Sequence, residues 1–183
     1  MKAIRIIILG KKVGVSPIFE IILSVIFLLA AWRWGDWKNF FEYYPTLLYV
    51  AIGNLTYKLV ALYQFHLWKT TDGNFFNAEI SFFIQNFLVI IPLIFVYLSK
   101  FPEKRKEKIH YVIGWSLILF LLEWIGAEFF QGFKYYHGWN IWWSLLFDIQ
   151  MFTMLRLHFV NYKIAILLSV PCTLFWLICF DYI

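Results

Sequence analysis

The chain has few charged residues: Asp, Glu, Lys and Arg make up 15% of its 183 positions, whereas hydrophobic residues make up 62%. A typical soluble domain is about 25% charged and about 45–50% apolar. A soluble fold of this length could not cover so much apolar surface with so few charges. The composition therefore excludes a soluble enzyme, a nucleic-acid-binding domain and a disordered chain, and it indicates an integral membrane protein.

Cysteine is also scarce. Cys172 and Cys179 stand in one apolar stretch, about two helical turns apart on the same face, which is too far for a disulfide between them. Catalytic and metal-binding patterns such as HExxH, GxSxG and Gly-rich phosphate loops are absent from the sequence as well. We therefore expect no catalytic residue, no metal and no cofactor, and the sequence leans against an enzyme.

What the chain does contain is a series of apolar segments, each close to the 20 or so residues that a membrane-spanning helix needs. They cover residues 15–33, 43–66, 78–98, 110–130, 139–160 and 162–181. The pattern predicts an all-α integral membrane bundle of about six transmembrane helices. This bundle forms a single domain over residues 15–183, behind a basic amino-terminal tail over residues 1–14. Because Glu20 interrupts the first segment and five more follow, we expect an uncleaved span there rather than a signal peptide.

Short breaks and prolines refine this topology. The last two segments meet around Asn161, which predicts an antiparallel helical hairpin. Pro92 and Pro171 fall inside segments, a placement that membrane helices tolerate when neighbouring groups satisfy the freed carbonyls. The sequence has no internal repeat of the kind that marks the two halves of many transporters.

Polar side chains inside the segments are the candidate site, because a charge at mid-bilayer costs about 2.5–3.5 kcal/mol. When the alternating direction of the spans and a helical rise of about 1.5 Å per residue are considered, five of them lie near one depth: Lys58, Gln85, Asn86, Glu123 and Asp148. Asn54 lies four residues before Lys58 and so shares its helix face. We predict one internal polar cluster in which Lys58 pairs with Glu123, Asp148 or both. The cluster is interpreted either as a buried ion pair that sets helix register or as a site for a proton, an ion or a lipid headgroup.

Aromatic residues make up 23% of the chain and gather at the predicted span ends. Belts of Trp and Tyr at the headgroup level are the usual reason for such clusters. A belt does not require Trp142, one turn inside the fifth segment. The alternative interpretation places Trp142 in an aromatic-lined pocket for a lipid or an isoprenoid.

The formal net charge of +5 comes from basic residues in the tail and the loops, where they set topology and contact anionic headgroups. The expected partners are membrane lipids and other membrane proteins, and no nucleic acid. In a six-span topology, nine of the 16 Lys and Arg residues lie on one side of the bilayer and six on the other. The dense run over residues 104–108 belongs to the nine, which favours both termini outside the cytoplasm.

Two stretches of the sequence resemble those of a known protein family. One joins Trp32-Arg-Trp-Gly-Asp-Trp-Lys to Tyr43-Tyr44-Pro45-Thr46-Leu47-Leu48. The other runs from Glu123 through Tyr136-His137-Gly138-Trp139-Asn140-Ile141-Trp142-Trp143-Ser144 to Leu155-Arg156-Leu157-His158. They resemble a family of small, uncharacterised multi-span membrane proteins from spore-forming Gram-positive bacteria. The resemblance implies a multi-pass protein of the bacterial cell membrane and no particular activity, and the long basic tail departs from the family pattern.

Three functions are compatible with these features. The lack of any catalytic pattern favours a non-enzymatic membrane component, an accessory or scaffold protein. The alternatives are a small transporter or channel that uses the intramembrane Lys, Glu and Asp residues, and a membrane enzyme or binder that acts on a lipid or an isoprenoid.

Overall fold

The computed structural model describes residues 16–63, 67–70, 78–130 and 133–182, and this part of the chain is helical apart from two three-residue strands. The helices are α1 (Ser16–Trp34), α2 (Phe40–Tyr63), α3 (Ala78–Ile84), α4 (Ile91–Ser99), α5 (Arg105–Phe130), α6 (Ile141–Val160) and α7 (Tyr162–Cys179). A π-helical segment (Gln85–Ile90) joins α3 to α4 without a break, so these two helices form one rod. Six helical rods result, one for each predicted apolar segment. The all-α class is therefore confirmed, and the predicted amino-terminal tail lies outside the described residues.

The π-helical segment has a local cause. Pro92 lies at the start of α4, where its ring lacks an N–H donor and clashes with the carbonyl four residues earlier. The chain avoids that clash by widening to i→i+5 hydrogen bonds just before the proline. Such π-helical turns occur frequently at functional sites, and this one carries two of the predicted site residues.

A tight corner connects α1 to α2. The corner contains Gly35, Asp36 and a 3₁₀ turn (Trp37–Asn39), and the axes of Ile18–Trp34 and Trp37–Leu59 differ in direction by 88°. The Asp36 carboxylate accepts hydrogen bonds from Asn39 Nδ2 at 2.9 Å and Tyr43 Oη at 3.2 Å. The Asp36 amide donates to Ser99 Oγ at 3.0 Å, which holds the corner against the end of α4.

From α2 onward, successive rods run alternately between two ends of the molecule. At one end, which we name the corner end, Phe95 near the end of α4 packs on Trp37, Phe40 and Tyr43. At the other, the strand end, β1 (Trp68–Thr70) pairs antiparallel with β2 (Phe133–Tyr135). Here α2 and α5 finish, and the start of α6 meets the end of α7 where Trp139 packs on Phe180.

The hairpin predicted for the last two segments is present. Asn161 alone separates α6 from α7, and its side chain caps α7 by accepting a hydrogen bond from the Ile164 amide at 3.2 Å. The two cysteines of α7 are free thiols, as expected.

The core lies where α4 meets α6. Tyr97 of α4 and Phe152 of α6 are both fully buried, and Tyr97 Oη donates to the Phe152 carbonyl at 2.9 Å. By contrast, the outer faces of α1 and α7 expose aliphatic side chains such as Leu29 and Leu167. This arrangement, apolar outside and partly polar inside, is the one expected of helices in lipid.

Three of the described helical stretches are long and apolar enough to cross a membrane, namely Ile80–Ser99, Arg105–Phe129 and Tyr162–Cys179. The bent pair formed by α1 and α2 raises the number to four if it counts as one span. The sequence analysis predicts six spans, so length and composition support a membrane location and a smaller number of independently apolar spans.

Candidate functional site

A cavity of about 170 Å³ lies inside the bundle. Its walls come from α1, α2, α3, the π-helical segment, α5 and α6. Phe19, Phe82 and Phe147 supply aromatic surface. The polar side chains that line it are Asn54, Tyr57, Gln85, Asn86, Glu123, Trp139, Ser144 and Asp148. An engineered apolar cavity of about 150 Å³ holds a benzene molecule, so the space suits a small solute rather than a lipid tail.

Asn54 and Asn86 form one side of the cavity. Asn54 Nδ2 donates to Asn86 Oδ1 at 2.8 Å and thereby ties α2 to the π-helical segment. Asn86 is only 1% exposed, and its Nδ2 has no hydrogen-bond partner among the described residues. A buried donor without a partner costs roughly 1–3 kcal/mol, which makes this amide a candidate contact for a ligand.

Glu123 forms the opposite side, and its position is determined by three neighbours. Its Oε1 accepts hydrogen bonds from Ser144 Oγ at 2.7 Å and from Tyr135 Oη at 2.8 Å. Trp139 Nε1 in turn donates to Ser144 Oγ at 2.9 Å. Tyr135 ends strand β2, so the strand pair helps to place a donor against the carboxylate inside the bundle.

Asp148 lies one helical turn after Ser144 on the same face of α6. Its side chain is buried, and Oδ2 has no hydrogen-bond partner among the described residues. Asp148 and Glu123 line the same cavity. In the described part of the chain, the ion pair is Lys104–Glu107 at 3.2 Å, far along α5 from the cavity, so no described cation pairs with either carboxylate.

The structure brings together five of the seven predicted site residues. Asn54, Gln85, Asn86, Glu123 and Asp148 all line the cavity.

The predicted pairing of Lys58 with Glu123 or Asp148 is wrong. Lys58 lies four residues after Asn54, but its Nζ lies 5.2 Å from the centroid of the Phe82 ring rather than at either carboxylate. Its long, flexible stem lets the ammonium leave the depth of its own Cα atom, as lysine does near lipid. Phe82 itself lines the cavity, so the Lys58 ammonium contacts an aromatic ring of the cavity wall instead of the carboxylates.

The prediction that Trp142 lines a pocket is also wrong. Trp142 is 68% exposed and packs on Phe120 of α5, with ring centroids 5.4 Å apart. Ser144 and Asp148 face the cavity, and Trp142 precedes Ser144 by two positions, which is about 200° around a helix. Trp139, just before α6 begins, occupies the cavity wall instead.

Sequence reasoning missed Tyr135, Trp139 and Ser144 as parts of the site. Ser144 carried a signal, since it precedes Asp148 by four residues and must share its face. Tyr135 and Trp139 were evident only as members of the aromatic cluster at a predicted span end, because both lie outside the helices and their contacts with Glu123 and Ser144 depend on tertiary structure. Trp139 packs on Trp176 and Phe180 of the α7 end, with ring centroids 5.4 and 5.0 Å away.

No group of three or more His, Cys, Asp or Glu side chains among the described residues is arranged to hold a metal ion. Comparison of the chain with protein-family models, with curated proteins and with solved structures finds no match. The interpretation of the site therefore depends on its own chemistry: a small cavity between the helices, two carboxylates and an amide donor.

Proposed function

We propose that this chain is a multi-pass integral membrane protein that binds a small polar solute in the cavity between its helices. The observation that carries the proposal is a pair of buried atoms, Asn86 Nδ2 and Asp148 Oδ2, that have no hydrogen-bond partner among the described residues and belong to side chains that line one cavity. Convergent polar groups in a largely apolar pocket are the usual form of a ligand site. An accessory or scaffold role, which the sequence alone favours, needs no such cavity.

Six crossings are part of the proposal. From α2 onward the rods run alternately between the corner end and the strand end, which supports one crossing for each rod, whereas α1 and α2 meet at 88°. α6 is low in hydropathy because Asp148, Gln150, Arg156 and His158 interrupt its apolar surface. Asp148 and His158 are buried inside the bundle, and Gln150 and Arg156 are half-buried. A helix whose polar groups face neighbouring helices can cross a bilayer without exposing them to lipid. The resemblance noted from the sequence supports a bacterial cell membrane as the location.

The topology is tested by cysteine labelling from each side of the membrane in a background with Cys172 and Cys179 replaced by Ala. Reporter cysteines at positions 2 and 183 are expected to react from one side and a cysteine at 104 from the other. Labelling of position 104 from the same side as the termini would contradict six crossings.

Ligand access to the cavity is tested by Ser144→Cys in the same background, using small water-soluble methanethiosulfonates. We expect modification at Ser144→Cys and at Lys104→Cys, which is exposed, but not at Leu167→Cys on the outer face of α7. Met151→Cys, on another part of the cavity wall, replaces Ser144→Cys if that variant does not fold. A cavity cysteine as unreactive as position 167 would overturn the binding proposal.

A further inference from the structure

The charge and hydrogen-bonding pattern of the cavity identifies the class of solute, provided that the cavity is a binding site as proposed above. Two carboxylates, Glu123 and Asp148, approach it. Lys58, which sequence reasoning placed between them, contacts Phe82 instead. A buried carboxylate needs a hydrogen-bond or charge partner, and no cationic side chain among the described residues pairs with either of these two. A cation from outside the protein would fill that role.

The two carboxylates differ in how well they are satisfied. Glu123 Oε1 already accepts two hydroxyl hydrogen bonds, from Ser144 and Tyr135. Asp148 Oδ2 accepts none from the described residues. Asp148 is therefore the primary contact for a positively charged donor, and Glu123 adds a second negative charge nearby. Aromatic side chains in the wall, including Phe147 and Trp139, also favour a cation because their ring faces attract positive charge.

The part of the cavity wall at Asn86 requires a hydrogen-bond acceptor. Asn86 Nδ2 is a buried donor without a partner among the described residues, and an ammonium group alone offers it no acceptor. A solute that satisfies both sides carries a positively charged amine at one end and a hydroxyl or carbonyl oxygen at the other. A cavity of about 170 Å³ accommodates about six to eight non-hydrogen atoms, by comparison with the benzene-sized cavity.

We propose that the cavity binds a small hydroxylated or carbonyl-bearing amine, with its ammonium group at Asp148 and its oxygen at the Asn86 amide. Asp148 is then a binding residue rather than a structural one. Asn86 selects for the oxygen and so determines specificity among amines.

The charge preference is tested with the cavity cysteine Ser144→Cys, in the background without Cys172 and Cys179. Cationic, neutral and anionic methanethiosulfonates of similar size are compared, and each rate is normalised to its rate at Lys104→Cys. We expect the cationic reagent to be favoured by about tenfold over the neutral one, the ratio that an energy difference of about 1.4 kcal/mol produces. Asp148→Asn should remove most of this preference, whereas Glu103→Gln, at an exposed position, should leave it unchanged.

Recognition of the oxygen is tested by protecting the same cysteine with three solutes of nearly equal size. Ethanolamine carries both groups, propylamine lacks the oxygen, and ethylene glycol lacks the charge. Ethanolamine is expected to protect at lower concentration than either isostere, and Asn86→Leu should make ethanolamine and propylamine equivalent. The comparison of the three solutes needs only the cavity cysteine variant, Ser144→Cys or Met151→Cys, and stands even if Asn86→Leu does not fold.

The outcomes separate the two proposals. If the cavity cysteine reacts with no reagent, binding in the cavity itself is wrong. If it reacts at equal normalised rates with all three reagents, or if ethylene glycol protects as well as ethanolamine, the cavity is accessible but the amine proposal is wrong.

Discussion

Asn54 and Asn86 join two helical rods through a side-chain hydrogen bond of 2.8 Å that lies at the wall of the internal cavity. Asn86 belongs to the π-helical segment before Pro92, so this hydrogen bond anchors the irregular backbone to α2. The hydrogen bond between the two amides therefore holds both the π-helical backbone and one part of the cavity wall in place.

Removing one member of this pair should destabilise the protein more than removing both. Asn54→Leu leaves Asn86 Oδ1 buried without its donor, and we expect a loss of about 1–2 kcal/mol in the free energy of unfolding. In the double variant Asn54→Leu/Asn86→Leu, part of this loss should be recovered, because no amide remains unsatisfied. Chemical denaturation in detergent measures the cycle, and strictly additive losses would show that the two amides do not interact.

Gly35 at the corner should not tolerate a side chain. A Cβ atom there would lie 2.3 Å from Phe95 Cε1 and 2.5 Å from the Ala31 carbonyl oxygen. We expect Gly35→Ala to lower stability by about 1–3 kcal/mol, as other overpacked substitutions do. Gly53→Ala is the matched control, since a Cβ atom at Gly53 meets nothing within 4 Å. Alanine costs about 0.5–1 kcal/mol less than glycine in a helix interior, so Gly53→Ala should be neutral or stabilising in thermal unfolding.

Tyr135 should contribute more to stability than its neighbour Tyr136. Tyr135→Phe removes a hydroxyl that donates to Glu123 Oε1 at 2.8 Å, and hydrogen bonds to charged groups contribute about 1.5–3 kcal/mol. Tyr136 is exposed, so Tyr136→Phe should have almost no effect. Equal thermal stabilities of the two variants would mean that the bond to Glu123 adds little, and that the strand pair alone places Tyr135.

The corner should weaken in acid. The hydrogen bond from Asn39, assisted by Tyr43 and by the positive charge of Lys100, holds the pKa of Asp36 below its ordinary value, and partial burial opposes this effect. A carboxylate whose pKa is lower in the folded state adds stability above its unfolded pKa of about 3.9, and this stability is lost as the pH falls through the folded value.

Denaturation midpoints between pH 6 and pH 2.5 test this expectation. The Asp36→Asn variant should lose less stability over that interval than the parent protein. Glu103→Gln, in an exposed loop position, should follow the parent curve. An Asp36→Asn curve parallel to the parent at every pH would show that this carboxylate does not contribute to the acid sensitivity.

The sequence could predict how deep the polar side chains of the site lie along their helices. The rise per residue and the alternation of spans placed Asn86 and Asp148 at one level, and in the structure both line the cavity. Short side chains stay close to their own Cα atoms, so depth predicts their contacts. The depth of the Lys58 Cα atom did not predict its contact, because the long side chain carries the ammonium group to Phe82.

Rotation about a helix and contacts between loops were harder to predict. Trp142 faces outward because α6 turns Ser144 and Asp148 toward the cavity, about 200° away around the helix, and the sequence alone did not show which face of this helix packs inside. Tyr135 reaches Glu123 because β2 pairs with β1, whose residues lie more than sixty positions earlier. The π-helical segment depends on Pro92, whose position in a span was evident, although its effect on the backbone was not.

The single residue between α6 and α7 has a consequence for how the chain enters a bilayer. α6 carries Ser144, Asp148 and His158 toward the interior, whereas α7 is apolar enough to cross by itself. With only Asn161 between them, the translocation machinery has no loop in which to release one helix before the other. We expect the pair to leave the translocon together, so that the apolar helix carries the polar one into lipid. In an insertion assay, α6 expressed without α7 should then integrate poorly.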